Sequence, residues 1–498
     1  MSCHGSSSVS TAAAFIDLAT FAEGDSFGYG GPHAISWFVA GVQKANWFSI
    51  VPIQLRNNGT FDFGQESVSS TLNRSGDYVL NCWFRCQIPS IGYTTPGAIP
   101  TGNSVRWTRN LMHNLIKRVS ITFNELTVEE FDNYWLDFNY MYRIPSNKIA
   151  GYRAMIGDIP SLTTPLDSSI PHNNVGGVLL GGFFTVVLPF YFGEDSGIAL
   201  PVGALPFNDT KINYEFRNID DLLVFNGDDA ANNISALTAY TVEYTAQNSN
   251  PAAVTYAPRS TMAFTHGYTY AHYAVIHNDE RVKMGDAPRD ILMRQVQTVC
   301  GHDLVSGATE YYQDLRLSHG IIQYYFALRN KSVKGEWSNY TTNINYGVVP
   351  NAAPNWVPLN QGYSKYWDPI ASSALVYENT TRLDFGADFY NLIHPYLVND
   401  ALPTANGDLP GLGTHTWSYA LKPWDPLSPS GSTNYSKLAN VQIRHRLSDQ
   451  AKINLGQNLL TGGTQGAVAV PLKLHGVFTA QNWNIVRVAN GSIGHPTL

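Results

Sequence analysis

Apolar residues recur at every second position along much of this chain. From Asp77 to Ile88, one row holds Tyr78, Leu80, Cys82, Phe84, Cys86 and Ile88, while Asp77, Asn81, Arg85 and Gln87 stand between them. Ile212, Tyr214 and Phe216 alternate with Lys211, Asn213, Glu215 and Arg217, and Val119, Ile121 and Phe123 with Arg118, Ser120 and Thr122. Val441, Ile443 and Leu447 repeat the pattern near the end. Successive side chains of a strand point to opposite faces, so a period of two collects the apolar groups on one face. These segments read as half-buried strands of antiparallel sheets. Between Leu315 and Leu328 the phase slips, from Leu315 and Leu317 to Ile322, Tyr324, Phe326 and Leu328. A bulge near His319-Gly320 would absorb the slip.

Helical signals are scarce. Thr127-Val128-Glu129-Glu130 has the form of a capping box, and Phe131, Trp135 and Phe138 follow at helical spacing, which predicts a helix starting after Thr127. A second short helix is expected around Asp279-Glu280-Arg281-Val282-Lys283. Val175 to Phe192 carries no charge, but its glycines and Pro189 read better as two buried strand pieces than as a membrane helix. Long Gly-, Pro- and Asn-rich loops fill Gly92 to Ser104, Pro160 to Gly177, Asn226 to Ser235 and Tyr346 to Asp368. Many strands, few helices and long loops indicate an all-β chain of jelly-roll sandwiches, and 498 residues suggest two of them. A faint internal echo agrees. Phe123-Asn124-Glu125-Leu126-Thr127 leads to Tyr142 and Pro145, and Tyr377-Glu378-Asn379-Thr380-Thr381 leads to Tyr390 and Pro395.

Composition bears on what the surface does. Only 14% of residues are charged, against about 25% in an average soluble protein, and aromatic residues reach 12%. Interfaces share this bias, and so do sheets. The formal net charge is −7, so no basic face for nucleic acid is expected. The densest basic spot, Arg444-His445-Arg446, reads as the solvent side of a strand. Cys82 and Cys86 lie on one straight strand at a separation of roughly 13 Å, too far to bridge. With Cys3 and Cys300 they are expected as free thiols. No signal peptide is evident at Met1 to Ser10. Residues 1–25 read as an amino-terminal arm, in which Phe15, Ile16, Leu18 and Phe21 could form a short amphipathic docking piece.

No catalytic, cofactor-binding or metal-ligating residue is assigned. The sequence has no Gly-x-Ser-x-Gly elbow, phosphate-cradling loop or His-Glu-x-x-His. Ser318 and His319 are adjacent on an expected strand and would point to opposite faces. His266, His272 and His277 lack a third ligand at metal spacing. Asp220-Asp221 and Asp228-Asp229 are the candidates for a glycosidase carboxylate pair, but both read as turn residues. Sequons such as Asn58, Asn208 and Asn379 are not expected to be modified. A carbohydrate-binding or carbohydrate-active jelly roll is the alternative reading.

Longer strings carry a resemblance. Phe15-Ile16-Asp17-Leu18-Ala19-Thr20, Tyr29-Gly30-Gly31, Arg74-Ser75-Gly76-Asp77-Tyr78-Val79-Leu80-Asn81 and Arg106-Trp107-Thr108-Arg109-Asn110-Leu111-Met112-His113-Asn114 stand in the first half. Leu188-Pro189-Phe190, Asp279-Glu280-Arg281, Arg289-Asp290-Ile291-Leu292, Gln295-Val296-Gln297-Thr298, Arg316-Leu317-Ser318-His319 and Leu375-Val376-Tyr377-Glu378-Asn379-Thr380 follow in order. With these strings the chain resembles the major capsid proteins of nucleocytoplasmic large DNA viruses, on the iridovirus and marseillevirus branch. The resemblance implies a double jelly roll of two eight-stranded sandwiches, residues 26–285 and 286–498, joined near Gly285. It also implies a homotrimeric, pseudo-hexagonal capsomer tiling an icosahedral shell of the virion, assembled in the host cytoplasm. Neighbouring capsomers and minor capsid and penton proteins are the implied partners. An internal membrane lies beneath the shell, and nucleic acid is not contacted directly. Arg294 stands where relatives often carry an acid, and the stretch from Val224 to Tyr256 looks variable.

Overall fold

The computed structural model describes residues 11–39, 41, 44–93, 104–163, 178–179, 181–226, 237–241, 255–258, 262–286, 288–342, 367–399, 401–402, 413–455, 458–461 and 468–494. Residues 1–47 and 48–498 are separate compact units. In the first, α1 (Thr11–Ala19) bears Phe15, Ile16 and Leu18, all exposed. The first strand starts only at Phe48, so residues 26–47 precede the strands of the jelly roll they were assigned to.

Sixteen principal strands build the larger unit. The first eight are β1 (Phe48–Gln54), β2 (Val68–Thr71), β3 (Tyr78–Ile88), β4 (Ile116–Phe123), β5 (Leu126–Asp132), β6 (Gly182–Leu188), β7 (Thr210–Phe216) and β8 (Thr265–Ile276). They form the sheets β1-β8-β3-β6 and β2-β7-β4-β5. Arg56–Asn58 continues β1 past Leu55 and pairs with β2, carrying the chain from one sheet to the other. The second eight are β9 (Arg289–Val299), β10 (Glu310–Asp314), β11 (Gly320–Asn330), β12 (Ile370–Tyr377), β13 (Thr380–Gly386), β14 (Thr414–Ser418), β15 (Val441–Leu447) and β16 (Leu474–Ala489). Their sheets run β9-β16-β11-β14 and β10-β15-β12-β13. Both sets follow the same order, strand for strand. The fold is a double jelly roll.

The echo in the sequence is the same hairpin made twice. Asn124 and Glu125 have φ of 49° and 71°, and Glu378 and Asn379 have φ of 47° and 68°. Two successive left-handed residues give the turn whose twist suits a two-residue hairpin, here β4–β5 and β12–β13. A helical segment follows each hairpin. In the first sandwich it is α3 (Asn133–Arg143), preceded in the chain by the short α2 (Leu111–Leu115) and followed by α4 (Ser146–Ile156). In the second it is a π turn, Phe389–Ile393, leading into α6 (His394–Val398). Between the two sets of strands lies α5 (Asn278–Asp286), the expected helix, whose Arg281 grips Asp77 through two bonds of 2.8 Å.

Each sandwich is filled by its inward rows. In the first, Phe84 of β3 packs against Tyr214 and Phe216 of β7 at 5.4 and 5.3 Å between ring centres. In the second, Tyr324, Phe326 and Leu328 of β11 join Leu375 and Ile443. β11 is buried on both faces from Ile321 to Asn330, because Tyr325 and Ala327 face the first sandwich.

Five sequence expectations are corrected. The helix does not start at Thr127: β5 runs to Asp132, whose side chain accepts from the Trp135 amide at 3.0 Å and caps α3. The Thr-x-x-Glu string lost because it directly follows a hairpin turn, and pairing with β4 satisfies its backbone. In β3 the inward row is Val79, Cys82, Phe84, Cys86 and Ile88; a register shift against β8 leaves Leu80 as the extra residue, so Tyr78 and Leu80 are not fully buried. The slip in β11 lies between Ile321 and Gln323 and not at His319-Gly320. Ser318 and His319 precede that strand, and His319 is left-handed with φ 64°. Val178–Leu179 and Gly182–Leu188 are the two strand pieces expected, with Gly181 between them, but the second is not buried on both faces: Phe183 and Val187 are exposed on its outward face. The expected loops fall mostly outside the described residues.

Cys82 and Cys86 are buried on the inward face of β3, and burial pushes both thiols well above their ordinary range. Cys300 is exposed. In the native protein a thiol reagent is expected to modify Cys300 and spare Cys82 and Cys86, which react only after denaturation. Peptide mapping with and without denaturant reads this directly, and a Cys82–Cys86 disulfide would refute it.

Candidate functional site

Among the described residues no group of three or more His, Cys, Asp or Glu side chains is placed to hold a metal ion. His266 stands at a left-handed position at the edge of β8, His272 packs against Trp83 at 4.7 Å on the outward face of that sheet, and His277 is exposed. Asp220 and Asp221 lie in a short 3-10 turn; Asp228 and Asp229 lie outside the described residues. Ser318 and His319 do not meet: the Ser318 amide donates to Gln297 at 3.1 Å, and the His319 amide donates to Ser436 Oγ at 2.9 Å.

A different serine–histidine contact exists, unseen in the sequence. Ser373 Oγ lies 2.8 Å from His445 Nδ1, and the ring stacks on Phe326 and Tyr311. His445 therefore points into the core, while only Arg444 and Arg446 of the basic triplet face outward. Both members of the pair are sealed from water, at 1% and 3% exposure. Burial, and next the neighbouring His415, lowers the imidazole to about 3. A base that weak has little use near neutrality, so the contact is structural. No helix of the described residues is long and apolar enough to cross a membrane.

What the structure does build is a junction between the two sandwiches and a set of contrasting outer faces. At the junction, Trp135, Phe138 and Tyr142 of α3 surround Tyr325 of β11, with ring centres 5.5–5.6 Å apart. The Tyr142 hydroxyl donates to the Thr414 carbonyl of β14 at 2.9 Å. Asp137, wholly buried, collects four partners from both halves of the chain. Its Oδ1 meets Asn110 Nδ2 at 3.0 Å and His113 Nδ1 at 2.8 Å; its Oδ2 accepts from Ser338 at 2.7 Å and Tyr340 at 2.9 Å. Trp337 lies between two guanidinium groups, Arg217 at 3.8 Å and Arg329 at 3.9 Å. Arg294 reaches Glu194 at 2.6 Å, and Arg143 reaches the same carboxylate at 2.9 Å. Close by, burial holds Glu129 well above the usual carboxylate range, although its Oε2 accepts the Tyr191 amide at 3.0 Å.

The outer faces divide by chemistry. On β2-β7-β4-β5, Lys117, Arg118, Glu130 and Glu215 form ion pairs in water. On β10-β15-β12-β13, Arg444 and Arg446 pair with Glu310. The outward face of β1-β8-β3-β6 is different: it shows Trp83 stacked on Tyr270 at 5.7 Å, and exposed Phe183 and Val187. Such aromatic patches mark contact surfaces.

Residues 36–258 match the model of the major capsid protein N-terminus, and residues 280–494 that of the large eukaryotic DNA virus major capsid protein. The chain is 40% identical to the major capsid protein of Tipula iridescent virus, over 97% of each chain. It belongs to the major capsid proteins of large eukaryotic DNA viruses. The major capsid protein of Lymphocystis disease virus 1 is 35% identical over 98% of each chain. Solved capsid structures share the fold. The quasi-atomic model of the PBCV-1 virus capsid superposes with a TM-score of 0.64 at 19% identity, covering 93% of this chain and 100% of the other. The Faustovirus major capsid protein gives 0.60 at 13% identity, over 92% and 93%. This major capsid protein is thus a structural component of the virion, and the carbohydrate-active alternative finds no support among these relatives.

Proposed function

We propose that three copies close into a pseudo-hexagonal capsomer, and that such capsomers tile an icosahedral shell. The carrying observation is the repetition of one eight-strand order in two sandwiches, which lets three chains supply six equivalent units. The join between residues 26–285 and 286–498 falls in this reading at the end of α5, close to Gly285. The protein acts as a building block and not as an enzyme, without cofactor or metal, and it makes no direct contact with nucleic acid. Neighbouring capsomers and minor capsid and penton proteins are its partners, over an internal membrane, with assembly in the host cytoplasm. The arm of residues 1–25 reaches those partners through the exposed Phe15, Ile16 and Leu18 of α1. Light scattering on the isolated capsomer is expected to give three times 54.9 kDa, about 165 kDa. A stable monomer at micromolar concentration would count against the trimer.

A further inference from the structure

Each sandwich repeats the other, so a contact made by one half predicts a site on the other. The sheet β9-β16-β11-β14 has its outward face covered within the chain: α3, which follows the β4–β5 hairpin, lays Trp135, Phe138 and Tyr142 around Tyr325. Among the described residues, the equivalent sheet of the first sandwich, β1-β8-β3-β6, has no such cover. On its outward face Phe183 and Val187 are 50% and 40% exposed, beside the Trp83–Tyr270 stack. The equivalent of α3 is the segment Phe389–Val398, which follows the β12–β13 hairpin. Counting forward in step from the two left-handed turns aligns Trp135 with Phe389, Phe138 with Leu392 and Tyr142 with Tyr396. Leu392 and Tyr396 are exposed, Tyr396 at 73%, and Leu397 beside it at 70%. Among the described residues, one chain thus carries an unmatched plug at one end of the series and an unmatched socket at the other.

We infer that the Phe389–Val398 segment of one copy docks on the outward face of β1-β8-β3-β6 of the next copy, repeating between chains the contact that α3 makes within the chain. This inference rests on the trimer proposed above and names its interface. The occupant of the sheet face is a second copy of this chain, because the chain already shows the docking element and its mode of packing once. The contact is head to tail: the surface that gives differs from the surface that receives. Such heterologous contacts build a ring when the rotation closes. Two sandwiches per chain alternate around it, so every sandwich has one neighbour through a covalent link and one through this plug. Among the described residues, Arg85 is a cation on this sheet face, and its guanidinium already lies over the Phe183 ring at 4.7 Å; His266 and His272 add imidazoles beside Phe183 and Trp83.

The test uses the full chain. Val187→Glu and Tyr396→Glu each place a carboxylate at an exposed position, so the fold is expected to survive with an unchanged circular dichroism spectrum. Each is expected to convert the trimer seen for the unmodified chain into a species of 54.9 kDa in light scattering. A wild-type chain that is itself a monomer refutes the trimer. A wild-type trimer whose two variants remain trimeric refutes the interface alone and assigns the aromatic face to another occupant. If either variant fails to fold, cysteine pairing decides. In a Cys3→Ser, Cys300→Ser background, Phe183→Cys and Tyr396→Cys chains are co-expressed and treated with a bis-maleimide. Covalent dimers are expected only when both variants are present. Cross-linking of Phe183→Cys chains to one another, or no cross-link in an intact trimer, overturns the head-to-tail contact.

Discussion

Asp137→Ala is expected to lower the unfolding free energy by roughly 3–5 kcal/mol, because it removes one side of a buried, fully satisfied polar cluster. The carboxylate sits at 0% exposure and takes bonds from Asn110, His113, Ser338 and Tyr340. Alanine leaves these groups facing a cavity with no acceptor, and each stranded buried donor costs about 1–3 kcal/mol when nothing replaces the bond. Relaxation and entering water recover part of that, which keeps the expected total below the sum. Two of the partners come from the segment that links β11 to β12, so the loss falls on the junction as well as on the first sandwich. Asp137→Asn is expected to cost less, since one oxygen still accepts while the amide nitrogen confronts donors. Urea unfolding of both variants checks the order. Equal midpoints for Asp137→Ala and wild type would show that the cluster adds nothing to stability.

The second large effect is in acid. His445 has a folded pKa near 3 against an ordinary 6.5, so the fold binds its proton more weakly than the unfolded chain does. Stability from this group is complete above pH 6.5 and drains away as pH falls toward 3. Each unit of difference is about 1.4 kcal/mol, so the whole window is on the order of 4–5 kcal/mol. His394, lowered to about 4 by burial, drains in the same direction. Asp132 opposes them, because burial raises it to about 6 and protonation then favours the fold as pH falls below that value. The wild-type curve is therefore a partial cancellation, and the diagnostic is a difference between two curves. His445→Gln keeps a polar atom for Ser373 but cannot titrate. It is expected to be less stable at pH 7 for want of the stacked ring, and to recover several kcal/mol relative to wild type between pH 6.5 and 3. Melting temperatures across that range give the comparison. Parallel curves would mean that His445 does not drive the acid loss.

The strands were legible because their signal is local. Ile212, Tyr214 and Phe216 alternate with polar neighbours, and the register between β4 and β7 places them inward as the pattern says. The repeated hairpin was legible for the same reason, since two left-handed residues need only their own turn. Errors arose where a local signal competes with a distant partner. Thr127 resembles a helix cap until β4 claims its backbone, and His445 resembles a surface cation until the stack with Phe326 shows where its ring lies. The junction was not legible at all. Asp137 and Tyr340, or Glu194 and Arg294, are far apart in the chain, and one sequence has no way to pair them. Nor did exposure show. The outward Phe183 and the inward Phe184 are neighbours of the same type, and only the second strand layer tells them apart.

β11 and its sheet, buried on both sides, set an order on how the chain comes to be folded. The outward row of Tyr325 and Ala327 has no solvated state that is not costly, because its cover comes from α3, far upstream. A ribosome releases the amino end first, so β1 to β8 and α3 emerge before β11. The upstream strands can pair with one another first, with Trp135, Phe138 and Tyr142 of α3 still uncovered. When β11 follows, its outward row and the α3 aromatic rings cover each other, and the buried Asp137 cluster is completed only then by Ser338 and Tyr340.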